Sequence, residues 1–170
     1  MASFFVSRVD GAIDPQLEKL GKSEWAGKAA IANAKVAYEL FESFMASPRV
    51  QALKAKGAQV QRPLWASTST KNPKYRDVIY VEELIGPLTV NTLPPQTLAA
   101  FRDHGVVRVS IKENVSQAKE VLSQLEKLGI SMAAVTRKLE EDGIKSFSDS
   151  YDVLIKSIDD KRKQLKTVAR

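Results

Sequence analysis

Hydrophobic residues in the first hundred positions alternate between short dense runs and longer stretches with helical spacing. Short runs rich in β-branched and aromatic residues are typical of strands covered on both faces of a parallel sheet. They predict three strands, at Ala2–Val9, Val60–Ser67 and Leu88–Leu93. We expect the first to be a buried strand that ends near Arg8, with no earlier strand to lie beside it.

Apolar residues three and four positions apart predict the helices between these strands. Asp10-Gly11 is expected to end the first strand, and Asp14-Pro15 to form a turn. The predicted helices are Pro15–Leu20, Glu24–Met45, Arg49–Lys56, Asp77–Leu84 and Gln96–Asp103. Strands that alternate with helices in this way indicate βαβ units and a parallel sheet.

After Gly105 the pattern becomes helical, apart from a weak strand signal at Val106–Ile111. Three amphipathic helices are predicted, and Gly129 and Gly143 are expected to separate them. They are Ser116–Leu128, Ser131–Asp142 and Phe147–Lys166. We therefore divide the chain into an α/β part, residues 1–105, and a helical extension, residues 106–170, that packs on it.

The composition excludes several kinds of site. The 170 residues include no cysteine and one histidine, His104, so a disulfide framework, a thiolate metal site and a histidine zinc site are not expected. His104 is expected in the last turn of its helix. No apolar run reaches the roughly 18 residues that span a bilayer, and we expect a cytoplasmic protein without a membrane partner.

A net charge of +6 suits anionic partners, although the basic residues are interspersed among 20 acidic ones. The basic segment Lys161–Lys166 has no interleaved aromatic residues for base stacking. A solvated helix end is therefore favoured there over a nucleic-acid patch. The chain also lacks a phosphate-binding P-loop, a dinucleotide-binding glycine motif and a nucleophile elbow.

Polar residues at the ends of the predicted strands are the candidates for chemistry, because ligands of α/β folds bind at the carboxyl ends of strands. These positions offer hydroxyls, amides, Arg8 and Lys71, with Asp10 as the one nearby carboxylate. That set favours holding an anion over acid–base catalysis. The alternatives are an ion pair of Arg8 with Asp10 or with a helix carboxylate, and a solvated Lys71. Lys35 is expected on a solvated helix face.

Several segments together resemble the transaldolase family, and most closely its longer bacterial and plant-type branch. They are SFFVSRVD at Ser3–Asp10, GKAAIANAKVAYELF at Gly27–Phe41, RPLWASTSTKNPKY at Arg62–Tyr75, ELIGPLTVNTLPPQTLAAFRDHG at Glu83–Gly105 and EKLGISMAAVTRKLEEDGIKSF at Glu126–Phe147. The resemblance implies part of a (β/α)₈ barrel, with the three strands corresponding to its sixth, seventh and eighth, followed by the helical extension.

The resemblance also implies roles for individual residues. The S-x-F-x-x-R motif of the family's sixth strand maps onto Ser3, Phe5 and Arg8, as a polar substrate contact, a packing wall and a phosphate clamp. A second phosphate contact would fall on Ser67 or Lys71. The implied ligands are sugar phosphates, and the implied reaction of the intact family moves a dihydroxyacetone unit between ketose and aldose phosphates in the pentose phosphate pathway.

Members of this family form a Schiff base on a lysine of the fourth strand and use carboxylates of the first and third. Those strands do not map onto this chain, so no catalytic residue is assigned, and we expect the chain to be inactive alone, with no cofactor and no metal. Alternatives are a non-catalytic phosphate-binding module and a half-barrel completed by an N-terminal half or by a second copy. Nucleic-acid binding ranks last, and a plastid location applies if the source is a plant.

Overall fold

A computed structural model gives the fold. It describes the backbone of residues 1–168 and the side chains of residues 1–165. The strands are β1 (Ala2–Phe5), β2 (Pro63–Ala66) and β3 (Val90–Asn91). The helices are α1 (Ser7–Lys19), α2 (Ala29–Ala46), α3 (Pro48–Ala55), α4 (Ile79–Glu82), α5 (Pro95–His104), α6 (Val115–Lys127) and α7 (Met132–Val168), with a short 3₁₀ helix at Ser23–Trp25.

The three strands form one parallel sheet in the order β1-β2-β3. Phe4 is level with Trp65, and Leu64 is level with Val90. This confirms the α/β class and the parallel sheet predicted from the alternation of strands and helices. The strands themselves are shorter than predicted: β1 is shortened at its end, and β2 and β3 are shortened at both ends.

The first predicted strand is wrong beyond Phe5. Val6 and Ser7 still donate backbone hydrogen bonds to Ala66 and Ser67, at 2.9 and 3.0 Å, but Val6 already has helical dihedral angles and α1 begins at Ser7. The buried stripe of Val9, Ile13 and Leu17 has helical spacing. Burial of that stripe outweighs the two turn signals, so Asp10-Gly11 and Asp14-Pro15 lie inside the helix.

The predicted break at Gly143 is also wrong, since α7 continues through it as one helix. A glycine inside a helix costs only about 1 kcal/mol relative to alanine. Ion pairs one turn apart, Lys138–Asp142 and Lys145–Asp149, flank the glycine and support the helix on both sides. The weak strand signal at Val106–Ile111 corresponds to irregular backbone.

The chain divides into two compact units after Met132. In the first unit, α1 and α6 both pack against α2. The alanines of α2 make this packing close, since Ala29, Ala30 and Ala34 are fully buried. The second unit consists of α7 from Ala133 onward.

Trp65 forms the centre of the covered side of the sheet and is only 1% exposed. Its ring meets that of Phe4 edge-on at 5.7 Å, and its indole N–H donates to the carbonyl of Leu84 at 3.0 Å. Because side chains alternate along a strand, Ser3 and Phe5 project from the opposite side of β1. Both are exposed. The sheet therefore has one covered face and one open face, and the prediction that the first strand is buried is wrong.

Candidate functional site

The carboxyl edge of the sheet brings two predicted polar positions together. The Ser7 hydroxyl lies 2.9 Å from the Ser67 hydroxyl, and the backbone N–H of Ser7 donates to the carbonyl of Ser67. Ser67 has a φ of 56°, in the left-handed region that few residues other than glycine adopt. The end of β2 is thereby held against the first turn of α1.

Arg8 lies in the first turn of α1 rather than at the end of a strand, which corrects its predicted position. Its guanidinium stacks over the Phe5 ring, 4.6 Å from the centroid, and its side chain is exposed. Among the described residues it forms no ion pair, and Asp10 is engaged elsewhere. The alternative of an Arg8–Asp10 pair is therefore wrong, and the cation is accessible beside Phe5.

The loop after β2 holds Lys71 apart from this group. The Lys71 ammonium donates to the Ser69 hydroxyl at 2.9 Å, and both residues line an open cavity of about 310 Å³ beside α5. The Thr68 hydroxyl, fully buried, donates to the Asn91 side chain at 2.7 Å and so ties this loop to β3. No hydrogen bond within the described part of the chain joins Lys71 to Arg8 or Ser67.

A buried carboxylate pair lies behind the edge and escaped the sequence analysis. Asp10 accepts hydrogen bonds from the Tyr80 hydroxyl at 2.7 Å and from the backbone N–H of Ala30 at 2.8 Å. Asp14, one turn later, accepts from the Tyr75 hydroxyl and the backbone N–H of Gly27. The two carboxylates connect α1 to the start of α2, to α4 and to the loop after β2.

Burial governs the ionisation of this pair. Removal from water raises the pKa of Asp10 to about 6, against the opposing effect of the hydrogen bond from Tyr80. Burial also raises the pKa of Tyr75 and Tyr80, and the hydrogen bonds that they donate to the carboxylates add to this effect. The signal in the sequence is two aspartates four residues apart on a helix stripe that is otherwise apolar.

Lys35 is buried, contrary to the prediction of a solvated helix face, and is only 4% exposed. Its ammonium donates to the Glu83 carboxylate at 3.0 Å and to the carbonyl of Glu113 at 3.1 Å. Arg108 bonds to both Glu83 and Glu113 and completes the cluster. Donation from Lys35 and Arg108 lowers the pKa of Glu83 despite its partial burial. This amine is thus paired within the first unit.

His104 ends α5, as predicted. Its Nε2 lies 2.9 Å from Asp77, and the hydrogen bond raises the pKa of the imidazole. The basic segment Lys161–Lys166 was predicted to be a solvated helix end. Within it, Arg162 and Lys163 pair with Asp159, while the side chain of Lys166 lies outside the described residues. No cluster of three metal-binding side chains occurs among the residues described, and none of their helices is long and apolar enough to cross a membrane.

The fold and its edge define a class of protein: a parallel α/β sheet with hydroxyls at the carboxyl ends of its strands and an accessible arginine in the first turn of the helix that follows β1. Comparison with known sequences identifies the family. The family described as "Transaldolase/Fructose-6-phosphate aldolase" matches residues 1–158, and the chain belongs to it. This confirms the resemblance inferred from the sequence motifs.

Relatives named "Transaldolase" align with nearly the whole chain. The protein of Parafrankia sp. (strain EAN1pec) is 51% identical over 173 residues, which cover 99% of this chain and 46% of the relative. That of Frankia alni is 49% identical, covering 93% and 44%, and that of Mycobacterium leprae (strain Br4923) is 45% identical, covering 100% and 46%. The chain spans less than half the length of these relatives.

Proposed function

We propose that this chain forms the sugar-phosphate-binding part of a transaldolase, an enzyme that transfers a dihydroxyacetone unit between ketose and aldose phosphates in the pentose phosphate pathway. One observation carries the proposal: Arg8, free of any carboxylate in the described structure, stacks on Phe5 at the edge of the open sheet face. A guanidinium recognises phosphate oxygens through its planar fork. Sugar phosphates occupy the cytoplasm, which is the proposed setting.

Ser3 and Phe5 are proposed to contact the sugar. They lie two residues apart on the same side of β1, and both side chains are exposed on the open face. The Ser7–Ser67 hydroxyl pair holds the end of β2 against α1 next to Arg8. In this arrangement Ser67 positions the edge, and Lys71 supplies a second cation from the loop, outside the immediate contact of Arg8.

Binding of a sugar phosphate tests this proposal directly. Titration calorimetry with fructose 6-phosphate should give a measurable affinity that fructose lacks, because the phosphate supplies the charge. Arg8→Met should weaken that binding at least about tenfold, the effect of about 1.4 kcal/mol. The matched control is Arg102→Met, an exposed arginine at the end of α5. Equal binding by all three proteins would overturn the proposal.

The same chain is expected to bind without turning over. Schiff-base chemistry requires an amine that can lose its proton and attack a carbonyl. Lys35 is the one buried lysine among the described side chains, and it is paired with Glu83. Borohydride treatment in the presence of fructose 6-phosphate should therefore leave the mass of the chain unchanged. A reduced adduct on any lysine would contradict this expectation.

A partner that completes the sheet is a second proposal, and a specific feature favours it. In the described structure β1 pairs with β2 alone, so its other edge is unpaired. An apolar cavity of about 370 Å³ adjoins that strand, with Phe41, Phe44 and Leu53 in its lining. A half-barrel that adds a strand to β1 and fills this cavity should protect the amides of Ala2–Phe5 from hydrogen exchange. Unchanged exchange on mixing with the N-terminal half of a relative would exclude it.

A further inference from the structure

The loop that follows β2 carries Lys71 and is held near both of its ends. At its start, the fully buried Thr68 donates from its hydroxyl to the Asn91 side chain at 2.7 Å, which fixes the loop to β3. Near its end, the Tyr75 hydroxyl donates to Asp14 Oδ2 of α1, also at 2.7 Å. The place of Lys71 relative to the rest of the first unit therefore depends on these two anchors.

The anchor at Tyr75 is built around a glycine. Gly27 has a φ of 73°, and its backbone N–H donates to Asp14 Oδ1 at 3.0 Å, so each oxygen of this carboxylate accepts one hydrogen bond. The Tyr75 ring lies against Gly27, where a Cβ atom would come within 2.7 Å of the ring. Both the dihedral angle and the contact require glycine at this position. The ring thus packs in a fixed place beside α1.

A short hydrogen-bonded turn connects Tyr75 to Lys71. The backbone N–H of Tyr75 donates to the carbonyl of Asn72 at 3.1 Å, and that of Lys74 donates to the Asn72 side chain at 3.0 Å. Asparagine bonds of this kind stabilise tight turns. The one hydrogen bond of the Lys71 ammonium in the described structure goes to Ser69 of the same loop. Movement of Tyr75 should therefore move Lys71 as well.

The helix that receives this anchor also carries Arg8. Arg8 lies in the first turn of α1, and Asp14 follows six residues later in the same helix. At 1.5 Å per residue, the two positions are about 9 Å apart along the helix axis. The bond from Tyr75 to Asp14 thus fixes the loop of Lys71 to the same helix as Arg8. Two cations held in this way bind a phosphate better than two that move independently, because less conformational freedom is lost on binding.

We propose that Tyr75 is a positioning residue of the phosphate site: by tying the loop after β2 to α1, it sets where the Lys71 ammonium lies relative to Arg8. This inference rests on the proposed binding of sugar phosphates, with Arg8 and Lys71 as the two cations. Tyr75 itself contacts no ligand in this arrangement, since its hydroxyl donates to Asp14. Its effect on binding should therefore require Lys71.

A double-mutant cycle tests this dependence. Tyr75→Phe removes the hydroxyl that donates to Asp14 and keeps the ring that packs against Gly27. In titration calorimetry with fructose 6-phosphate, Tyr75→Phe and Lys71→Met should each weaken binding by about threefold or more. The double variant should bind with the affinity of Lys71→Met alone, because the hydroxyl has no other route to the ligand.

Tyr80 provides the matched control. Its hydroxyl donates to Asp10 at 2.7 Å, so Tyr80→Phe removes an equivalent hydrogen bond to a carboxylate of the same helix. Tyr80 lies in α4, outside the loop of Lys71. Tyr80→Phe should accordingly leave the affinity for fructose 6-phosphate within about twofold of the original chain. Near-ultraviolet circular dichroism verifies that both variants keep their tertiary packing.

Hydrogen exchange tests the anchor without a ligand. The backbone amides of residues 69–72 should exchange at least about threefold faster in Tyr75→Phe than in the original chain or in Tyr80→Phe, because a segment with fewer attachments opens more often. The amide of Val6, which donates to the carbonyl of Ala66, is the internal reference. Equal exchange of residues 69–72 in the three proteins would overturn the inference, whatever the calorimetry gives.

The calorimetry separates the failure of this inference from that of the proposed function. If the original chain does not bind fructose 6-phosphate, or if Arg8→Met does not weaken binding, the proposed function is overturned and this inference with it. Where Arg8→Met does weaken binding, an unchanged affinity in Tyr75→Phe or in Lys71→Met would overturn the inference alone. So would an equal loss from Tyr75→Phe with and without Lys71, or an equal loss in Tyr80→Phe, since either would show a general effect on the fold.

Discussion

Asp10 shows how one buried side chain makes stability depend on pH. Its pKa is raised from 3.8 to about 6 in the folded chain, so the folded state binds a proton more tightly than the unfolded state does. Its contribution to stability is present below pH 3.8 and is lost as the pH rises through 6. This sign is the reverse of that for Glu83, whose pKa is lowered.

We therefore predict that Asp10→Asn changes the pH dependence of unfolding. The free energy of unfolding of the original chain, relative to the variant, should fall by about 2 to 3 kcal/mol between pH 4 and pH 7, since two pKa units correspond to about 2.7 kcal/mol. Urea denaturation across that range measures the difference. Asp152→Asn, at an exposed position of α7, controls for the loss of one carboxylate. If the difference in free energy of unfolding between the original chain and Asp10→Asn did not change with pH, a raised pKa of the buried Asp10 would be contradicted.

At the scale of elements, the Lys35 cluster joins α2 to α4 and to the segment before α6. Removing one member of a buried ion pair leaves the other without its partner, whereas an exposed pair contributes at most about 1 kcal/mol. Glu83 keeps Arg108 as a second donor, which limits the cost. Lys35→Met should accordingly destabilise the chain by about 2 kcal/mol, with its apolar stem still packed.

The exposed pair Lys119–Glu39 links α6 to α2 and provides the control. Lys119→Met should change the free energy of unfolding by less than about 0.5 kcal/mol. Thermal or urea unfolding of both variants at neutral pH is sufficient. If both variants changed the free energy of unfolding by similarly small amounts, burial of the Lys35 ion pair would not increase its contribution to stability.

Elements were predictable where local spacing and tertiary packing agree. The alanine-rich spacing of α2 and Pro95 at the first turn of α5 both indicate helices that the structure contains. Disagreement arose where packing outweighed a local signal. The apolar stripe of α1 overrides two turn signals, and α7 runs through Gly143. Burial of a whole face acts over more residues than one turn-forming pair.

The candidate site divides in the same way. Ser3, Phe5 and Arg8 all lie in the first eight residues of the chain, so a local motif is sufficient to suggest them. The contacts of Asp10 with Tyr80 and of Lys35 with Glu83 join positions 70 and 48 residues apart. Nothing local in a sequence indicates which tyrosine or glutamate will meet a given side chain, because topology sets those distances.

At the scale of the molecule, the chain consists of a first unit with its own core and a second unit that is one helix. Among the side chains that the structure describes, the fully buried ones, such as Val6, Ile13, Trp65, Leu84 and Leu125, lie before Met132. A core of this kind is expected to fold without the distal part of α7. Truncation after Glu140 keeps the buried Val135 and removes the exposed apolar side chains of α7 from Ile144 to Leu165.

We predict that this truncated chain retains cooperative unfolding, with a free energy of unfolding within about 2 kcal/mol of the full chain measured as a monomer. Near-ultraviolet circular dichroism and urea titration provide the comparison. A truncation before Leu125 is the contrasting control, because it removes a core side chain and should abolish the transition. Loss of cooperative unfolding in the chain truncated after Glu140 would show that the distal part of α7 supports the first unit.

The burial of Trp65 should be visible in the fluorescence of the chain. Its ring is sealed within the first unit, while Trp25, the other tryptophan, is half-buried with the Lys28 ammonium 5.3 Å from its ring centroid. The two indoles should emit at different wavelengths, and iodide should quench Trp25 far more than Trp65. Because Trp65 touches Phe4 of β1 and bonds to the carbonyl of Leu84, its red shift marks the moment at which the sheet separates from the segment behind it. The chain thus contains its own fluorescent reporter of sheet integrity.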